Sequence, residues 1–347
     1  MTEFGYGRIR DLGGMPDLLR EMAGQKGLGR VFHDQDMSIS ILETPDAVVP
    51  MRDLICLYDN AARITSARSF GLVASSGLTA EDYGLACLYA IQAPNLLTAL
   101  KRFQTALPYH ESGSSLRLAA DGDELRVGYH NIYQNLAGWR HSGDFTLCGL
   151  STLIGAYLDE GWQPLRIDTC YAKGRWAQDH ECLFDAPVTF GRDDISVVLN
   201  REVVHHSNGT RRIEPGQMLS VADVRRTGDE LPRDLPSMVV NVVERRLLEQ
   251  DVDIEGTAAV LGLGPRTLQR RLSGDGLNYR DLVLHCRMRR ARELLAEPEA
   301  AIHQIAHEVG YSSTPQFYRA FKTYIGTTPE GYRAGLSRPG PLSDARA

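Results

Sequence analysis

The sequence predicts two domains of different fold class: an α+β domain followed by an all-α domain with two helix-turn-helix motifs joined by a linker helix. Hydrophobic residues alternate between helical and strand spacing up to about residue 206, and keep helical spacing from 237 to 336. A stretch rich in glycine, proline and charge separates the two parts. We therefore expect an N-terminal extension at 1–24, a first domain at 25–206, a linker at 207–236, a helical domain at 237–336 and a disordered tail at 337–347.

The periodicity of the first domain predicts both helices and strands. Helical spacing covers 49–69, 95–107 and 145–158. Between 114 and 131 the period changes to two on either side of Asp121-Gly122-Asp123, which predicts a β-hairpin. Further short strands are expected at 165–171 and 195–199. The first 25 or so residues are expected to be peripheral or poorly ordered.

The helical domain contains one pattern twice, with Ala258 and Ala306 at equivalent positions 48 residues apart. Each copy has a small residue, a glycine four positions later, and two large apolar residues four apart. A helix-turn-helix needs these residues because the helices cross closely, the chain turns sharply, and the second helix seats on the first. The glycines and apolar pairs are Gly262 with Leu268 and Leu272, and Gly310 with Phe317 and Phe321. The repeated motif predicts a DNA-binding protein.

The outward faces of the two recognition helices carry the candidate DNA contacts. Arginine and glutamine hydrogen-bond guanine and adenine edges, whereas lysine and serine more often hold phosphates. Base contacts are expected from Arg266, Gln269, Arg270 and Arg319. Phosphate contacts are expected from Arg290, Ser313 and Lys322, and Gln316 lies on the same outward face. Pro265 at a first helical position, and the Ser313–Gln316 spacing of a capping box, predict where the two helices begin.

The segment 278–296 between the two copies predicts one linker helix. It has two apolar stripes on nearly opposite sides, so we expect a subdomain to pack on each side of it. Its length of roughly 28 Å is near the ~34 Å between successive major-groove faces. We hypothesise that one subunit inserts two recognition helices into adjacent major grooves. After the second copy, Thr328 and Pro329 predict a further helix start, with Tyr332 packing back.

The charge distribution favours a polyanionic partner only locally, because the whole chain has a net charge of −6. Residues 264–292 contain eight arginines against two aspartates. We interpret this patch as the electrostatic footprint of DNA binding. A plain helical domain used for protein contact is the alternative, and it explains neither the two motifs nor the arginines.

No motif indicates an enzyme, a metal site or a cofactor. The sequence has no Cys-x-x-Cys pair, no phosphate-binding glycine loop and no run long enough to span a membrane. The six cysteines are expected to be small buried thiols in a reducing cytoplasm. His205-His206 and His180-Glu181-Cys182 lack further ligands at matching spacing, so neither is assigned to a metal. Trp139-Arg140-His141 could line a ligand cavity, although ordinary packing of Trp139 is favoured and no site is assigned there.

The second half resembles the AraC/XylS family of bacterial transcription regulators over about 100 residues. The residues that carry this resemblance are Pro265-Arg266-Thr267-Leu268-Gln269-Arg270-Arg271-Leu272, Arg287-x-x-x-Ala291-x-x-Leu294-Leu295, Ile305-Ala306-x-x-Val309-Gly310-Tyr311-Ser312, Phe317-x-Arg319-Ala320-Phe321-Lys322 and Gly326-x-Thr328-Pro329-x-x-Tyr332-Arg333. One departure is Pro315, early in the second recognition helix, which could change how that helix enters its groove.

The first half resembles, more loosely, the arabinose-binding-type sensor domain of a large AraC subfamily. The carrying residues are Pro50-x-x-x-Leu54-x-x-Leu57-Tyr58 with Ala61-Ala62, Tyr83-Gly84-x-Ala86 with Leu96-x-x-Ala99-Leu100, Leu125 to Tyr129, and Cys182-Leu183-Phe184-Asp185-Ala186-Pro187-Val188-x-Phe190.

The two resemblances together imply a cytoplasmic, nucleoid-associated bacterial regulator. They imply a small-molecule effector that need not be arabinose, a homodimer, contact with RNA polymerase, and activation of a metabolic operon. The alternative is a ligand-independent DNA-binding regulator whose first domain serves dimerisation or the docking of a protein partner.

Overall fold

The computed structural model describes residues 4–35, 37–159, 161–207, 218–228, 232, 234–261, 263–297 and 299–336. The chain divides into two compact units, Met1–Arg233 and Asp234–Ala347. The predicted disordered tail at 337–347, the glycine of the first predicted turn (Gly262) and the middle of the predicted linker lie outside the described residues. Within the described residues, no helix is long and apolar enough to cross a membrane.

The strands in the described part of the first unit form two β-sheets. Strand β1 (Tyr6–Arg8) pairs antiparallel with β2 (Val48–Pro50). The larger, five-stranded sheet consists of β3 (Ser114–Asp121), β4 (Glu124–Asn131), β5 (Arg166–Asp168), β6 (Val188–Thr189) and β7 (Ile195–Asn200). Its order is β3-β4-β7-β5-β6, and only the β5–β6 pair is parallel. The predicted hairpin is confirmed, with Asp121 opposite Glu124.

The helices of the first unit cover the sheet and one another, which confirms the α+β class. They are α1 (Met15–His33, interrupted at Gly24), α2 (Met51–Thr65), α3 (Phe70–Ala74), α4 (Leu85–Ile91), α5 (Leu96–His110), α6 (Trp139–Gly155), α7 (Ala177–Phe184) and α8 (Val221–Gly228). Short 3-10 helices lie at Ile9–Leu12, Ile39–Glu43 and Arg201–His205. Helix α5 packs on β3, and α6 packs on β7 and α2.

The N-terminal segment is part of the first unit, so the expectation of a peripheral extension at 1–24 differs from the structure. Strand β1 is buried along its length, and Met15 and Leu19 of α1 are fully buried in the main core. The buried Tyr58 hydroxyl donates a hydrogen bond to the Leu12 carbonyl at 2.9 Å. These residues are scattered among polar ones, so the segment has weak helical periodicity, although it supplies large apolar side chains.

The predicted linker also differs from the structure, because α8 lies inside it. Ser220 and Asp223 form reciprocal hydrogen bonds at the start of α8, and Val224 is buried against Ala86 of α4 and Ala106 of α5. The Arg8 guanidinium donates to the Thr227 carbonyl at 2.8 Å. The Ser-x-x-Asp spacing before Val224 is a capping signal that the glycines and prolines nearby obscured.

The second unit is all helical in its described residues, as predicted. Its helices are α9 (Leu235–Leu248), α10 (Ile254–Val260), α11 (Pro265–Gly274), α12 (Tyr279–Leu295), α13 (Ile302–Glu308), α14 (Thr314–Ile325) and α15 (Pro329–Leu336). Asp234 caps α9, accepting from the Ser237 amide at 2.9 Å. The unit therefore starts three residues before the predicted boundary, since the cap and the proline at the second position of α9 read as linker composition.

Candidate nucleic-acid interface and ligand cavity

Helices α10 and α11 form the first helix-turn-helix. The Leu263 amide donates to the Ala258 carbonyl at 2.8 Å, which closes the turn between the two helices. Ala258 is fully buried where the helices cross, and Leu268 and Leu272 are fully buried on the inner face of α11. Helix α11 begins at Pro265, as predicted. The small residue and the paired apolar residues therefore occupy the buried positions that the predicted motif requires.

Helices α13 and α14 form the second helix-turn-helix with the same closure. The Tyr311 amide donates to the Ala306 carbonyl at 2.9 Å, the counterpart of the bond in the first copy. Gly310 in this turn has φ +80°, a region that favours glycine. Phe317 and Phe321 are fully buried, with ring centroids 5.5 Å apart. One additional residue separates the turn from α14, so the recognition helices are offset by 49 positions, from Leu268 to Phe317.

Replacing Gly310 with alanine is expected to destabilise the second unit by about 1–2 kcal/mol, because the left-handed conformation strains a Cβ. The added atom would also lie 3.1 Å from Arg287 Nη2. Thermal unfolding of the full chain measures the loss. The matched control is Gly274→Ala in α11, where an added Cβ meets open space and φ is ordinary. A Gly310→Ala protein as stable as the control would contradict the structural reading of this turn.

Seven of the eight predicted DNA-contact residues are exposed on or beside the recognition helices. They are Arg266, Gln269 and Arg270 on α11, Ser313 immediately before α14, and Gln316, Arg319 and Lys322 on α14. Arg270 and Arg319 occupy equivalent positions, each midway between the two buried apolar residues of its helix. Among the described residues neither has an ion-pair partner, so both guanidinium groups are available to an external acceptor.

Arg290, the eighth predicted residue, lies in a different environment. Its Nη2 is 2.8 Å from Glu308 Oε1 on α13, and its Nη1 is 3.4 Å from Glu293 Oε2. These acceptors satisfy its charge within the second unit. The expected phosphate contact therefore competes with a bond that attaches the linker helix to the second motif. The Arg290–Glu293 spacing is visible in the sequence, whereas Glu308 comes near only through the fold.

The start of α14 corrects the predicted capping box. Ser313 is the residue before the helix, but its side chain makes no capping hydrogen bond. Instead the Ser312 hydroxyl donates to Gln316 Oε1 at 3.1 Å. Pro315 lies in the first turn of α14, where its ring fits and no backbone hydrogen bond is lost. The glutamine is thus held by the neighbouring serine, one residue earlier than the spacing predicted.

Helix α12 is clasped on two sides, as its two apolar stripes predicted. Met288, Ala291 and Leu295 are buried in one cluster with Phe317 and Phe321. On the other side, Tyr279, Val283 and Cys286 are buried toward the first motif and α9. The Tyr279 hydroxyl is 2.7 Å from Thr257 Oγ1 of α10 and donates to the Asp253 carbonyl at 2.9 Å.

Polar contacts along α12 add to this packing. His285 Nδ1 lies 2.9 Å from the Tyr324 hydroxyl on α14. Arg292 Nε donates to the Tyr332 hydroxyl of α15 at 2.8 Å. The centroid of the Tyr332 ring lies 5.8 Å from that of Phe321, so Tyr332 packs back on the second motif as predicted. Thr328 caps α15, accepting from the Gly331 amide at 3.2 Å. These bonds connect α12 to α14 and α15, and the Tyr279–Thr257 contact connects it to α10, so both motifs are attached to the one linker helix.

A cavity lies inside the first unit, between α5, α6, the sheet and the segment before α1. Its volume is about 70 Å³. Its walls are mainly apolar: Met51, Leu54, Cys87, Phe103, Leu107, Phe145, Leu150 and Leu153. Ligand pockets in proteins are typically apolar clefts with a few placed polar groups. This cavity has that character.

The charged groups of the cavity lie together, and Tyr83, Ser142 and Thr146 also line it. His110 Nε2 lies 2.8 Å from Asp11 Oδ1, and the Tyr129 hydroxyl donates to Glu111 Oε1 at 2.6 Å. Burial raises the pKa of the Glu111 carboxyl to about 7, and the Asp11 charge adds to this effect. Burial alone would lower the pKa of His110, but the charge and hydrogen bond of Asp11 and the charge of Glu111 raise it.

These pKa values predict a pH-dependent stability of the first unit. The Glu111 pKa is higher in the folded protein than its ordinary 4.5, so folding takes up a proton there. Its contribution is complete below that ordinary value and is lost as pH rises through about 7. His110 acts in the same direction at higher pH. His141 acts in the opposite direction, because burial and Arg140 lower its pKa to about 4.

Comparison of Glu111→Gln with the unmodified protein isolates the glutamate. The difference between their thermal midpoints is expected to shift in favour of the variant as pH rises from about 5 to about 8. A difference independent of pH would show that Glu111 titrates alike in the folded and unfolded chains.

The segment Trp139-Arg140-His141 lies beside the cavity and does not line it. Trp139 is buried and its ring stacks on that of Tyr129, with centroids 6.3 Å apart. Arg140 lies over the Trp176 ring at 4.6 Å. The favoured prediction of ordinary packing therefore agrees with the structure. Sequence reasoning missed the cavity itself, since its polar residues come from the distant positions 11, 83, 110, 111, 129, 142 and 146.

His180 is held by hydrogen bonds within the protein core, and the cysteines differ in burial. His180 is fully buried, with Nε2 2.7 Å from Asp144 Oδ1, which also accepts from the Tyr171 hydroxyl at 2.7 Å. The six cysteines are free thiols, but only Cys87 and Cys286 are buried, and Cys182 is exposed. The expectation that all six are buried is thus wrong, because Cys182 lies on the outer face of the short helix α7.

Two family models match the chain. The model described as the arabinose-binding domain of AraC transcription regulator, N-terminal, matches residues 28–208, which is more than half of the chain. A helix-turn-helix domain model matches residues 257–335. The first match begins and ends close to the predicted domain, and the second contains both motifs.

Similar proteins include several transcription regulators. The HTH-type transcriptional regulator VirS of Mycobacterium tuberculosis is 39% identical over 106 residues, 30% of this chain and 31% of that protein. The porin thermoregulatory protein EnvY of Escherichia coli is 34% identical over 93 residues, 26% of this chain and 37% of that protein. The transcriptional activator NphR of Rhodococcus sp is 28% identical over 121 residues, 35% of this chain and 34% of that protein. The matched part of this chain thus spans about a third of the length of each relative.

Among solved structures, the transcriptional regulator CdpR of Pseudomonas aeruginosa aligns over 89% of this chain and 97% of its own. The identity is 20% and the TM-score 0.38. An AraC-type regulator of Chromobacterium violaceum aligns over 30% of this chain and 95% of its own, with 28% identity and a TM-score of 0.29.

Proposed function

The chain belongs to the AraC family of transcription regulators, and from this premise we propose that it binds operator DNA sequence-specifically and regulates transcription in response to a small molecule. The observation that carries the proposal is the pair of helix-turn-helix motifs with equivalent exposed arginines, Arg270 and Arg319, held by one linker helix. In this reading each subunit places α11 and α14 in adjacent major grooves of one duplex.

The contacts to DNA divide into two groups. Base edges are contacted by Arg266, Gln269 and Arg270 of α11 and by Arg319 of α14. Gln316, also on α14, accepts a hydrogen bond from the Ser312 hydroxyl. Lys322 and Ser313 contact phosphates. Arg290 serves mainly to position the second motif through Glu308, so its substitution would alter affinity through the spacing of the motifs.

The first unit acts as the sensor in this proposal, with the effector in its cavity. Phe103 of α5 lines the cavity and also packs in the cluster of Val224 on α8. A ligand in the cavity would therefore change the packing around α8 through Phe103. Helix α8 is the last described helix before the second unit begins at Asp234. Ligand binding then shifts the population of a DNA-competent arrangement.

Further parts of the proposal concern partners and place. We propose that the protein is a homodimer in the bacterial cytoplasm, and that it contacts RNA polymerase and activates transcription. Activation is supported by the name of the relative NphR. The cavity favours this effector-responsive reading over a ligand-independent regulator, because a purely assembling domain has no need of one.

Genome-wide DNA capture tests the proposal. Purified protein is used to retain sheared host DNA at moderate salt, and the retained fragments are sequenced. Enrichment of a few sites with a direct or inverted repeat is the expected result, and the neighbouring genes would indicate the regulated pathway. Uniform, salt-sensitive retention of all fragments would instead show charge attraction alone.

A further inference from the structure

The ligand cavity of the first unit has two chemically different parts. Most of its wall is aliphatic or aromatic, with Phe103, Phe145 and Leu153 on α5 and α6. Its charged groups lie together, since His110 contacts Asp11 at 2.8 Å and Glu111 is the next residue, while Tyr83, Ser142 and Thr146 add hydroxyl groups to the lining. A molecule that fits this distribution has an apolar body and one polar head group.

The charged groups of the cavity determine which head group fits. His110 is bonded to Asp11 at 2.8 Å, so these two groups largely compensate each other. Glu111 is buried and receives the Tyr129 hydroxyl, but among the described residues it has no ion-pair partner. The nearby Arg8 guanidinium donates to the backbone carbonyls of Asp46, Tyr109 and Thr227. The cavity therefore has an acid whose ionised form needs a cation.

We propose that the cavity binds a small molecule with an apolar body and a protonated amino group, and that the ammonium donates to the Glu111 carboxylate. The assignment rests on the proposed function, in which the first unit senses an effector. A buried charged donor–acceptor pair of this kind is stronger than a neutral hydrogen bond.

The raised pKa of Glu111 adds a signature to amine binding. Since this carboxyl has a pKa of about 7 in the empty cavity, it is partly protonated near neutral pH. An arriving ammonium favours the ionised form, so binding releases a fraction of a proton to the buffer. Affinity for an amine is accordingly expected to rise between about pH 6 and about pH 8.

Matched pairs of compounds test the head group. Isothermal titration calorimetry on the full chain compares benzylamine, 2-phenylethylamine, tryptamine and octylamine, each with the carboxylate and the alcohol of the same body, and L-arabinose. In at least one set the amine is expected to bind at least about tenfold more tightly than both partners. Equal or weaker binding of the amine in every set would overturn the assignment.

A substitution tests the residue. Glu111→Gln keeps the shape and the acceptor for Tyr129 but cannot carry charge, so amine affinity is expected to fall about tenfold or more. Glu21→Gln on the exposed face of α1 is the charge control and should bind as the unmodified protein does. Unchanged amine affinity in a folded Glu111→Gln protein would contradict the role of Glu111.

Proton release provides a measurement that does not depend on any variant. Titration of the unmodified protein near neutral pH in two buffers of different ionisation enthalpy should reveal release on amine binding. No proton exchange would contradict the assignment even if Glu111→Gln failed to fold. Operator capture with the same preparation distinguishes failure of the ligand assignment from failure of the proposed function. If specific sites are enriched but amines do not bind preferentially, only the ligand class is overturned. If amines bind but no sites are enriched, only the proposed function as a regulator is overturned.

Discussion

Replacing Phe321 with alanine is expected to unfold the second helix-turn-helix, at a cost of about 3–5 kcal/mol. Phe321 is fully buried on α14, and its ring packs 5.5 Å from that of Phe317 and 5.8 Å from that of Tyr332. One truncation therefore empties the centre of the cluster that joins α12, α14 and α15. Such a cost is comparable with the whole stability of a small domain.

Thermal unfolding and operator affinity measure this effect together. The transition of the second unit should move to lower temperature, and specific DNA binding should be lost. Thr323→Ala, on the exposed face of the same helix, is the control and should stay within about 0.5 kcal/mol. A Phe321→Ala protein with an unchanged transition would contradict the cluster as the source of stability.

The double substitution of Arg270 and Arg319 with alanine is expected to abolish specific operator recognition while leaving the fold intact. A good arginine–guanine contact contributes about 1–3 kcal/mol of discrimination. The two arginines lie on different recognition helices, so their losses should add to about 2–6 kcal/mol. Both side chains are exposed, which is why stability should hardly change.

Competition between the operator and a scrambled duplex at one salt concentration measures this loss. The ratio of the two affinities should fall toward one. Arg117→Ala with Arg201→Ala removes the same charge from exposed positions of the first unit and serves as the control. A double variant that retains the full affinity ratio would remove Arg270 and Arg319 from base contact.

The second unit was largely predictable because its signals are local. The alanine, glycine and paired apolar residues of each motif lie within 16 residues of one another, from Ala258 to Leu272 and from Ala306 to Phe321. The two stripes of α12 likewise appear in one stretch of chain. The sequence predicts Arg290 among the DNA contacts, because its partner Glu308 is 18 residues away and comes near only through the fold.

The first unit shows where sequence reasoning stopped. The cavity brings Asp11 to His110 across 99 residues, and no spacing rule connects them. The sequence predicts a peripheral extension at 1–24 because the helical periodicity of this segment is weak, although β1 pairs with β2. Helix α8 was hidden by the glycines and prolines around it. These features depend on long-range packing.

Hydroxyl-radical footprinting of the full chain on a captured operator tests the central claim, that two recognition helices of one subunit bind adjacent major grooves. The expected footprint has two protected windows per subunit on one face of the duplex, about 34 Å apart. Arg270→Ala should weaken one window and Arg319→Ala the other. A single protected groove per subunit, or loss of the same window in both variants, would contradict the account.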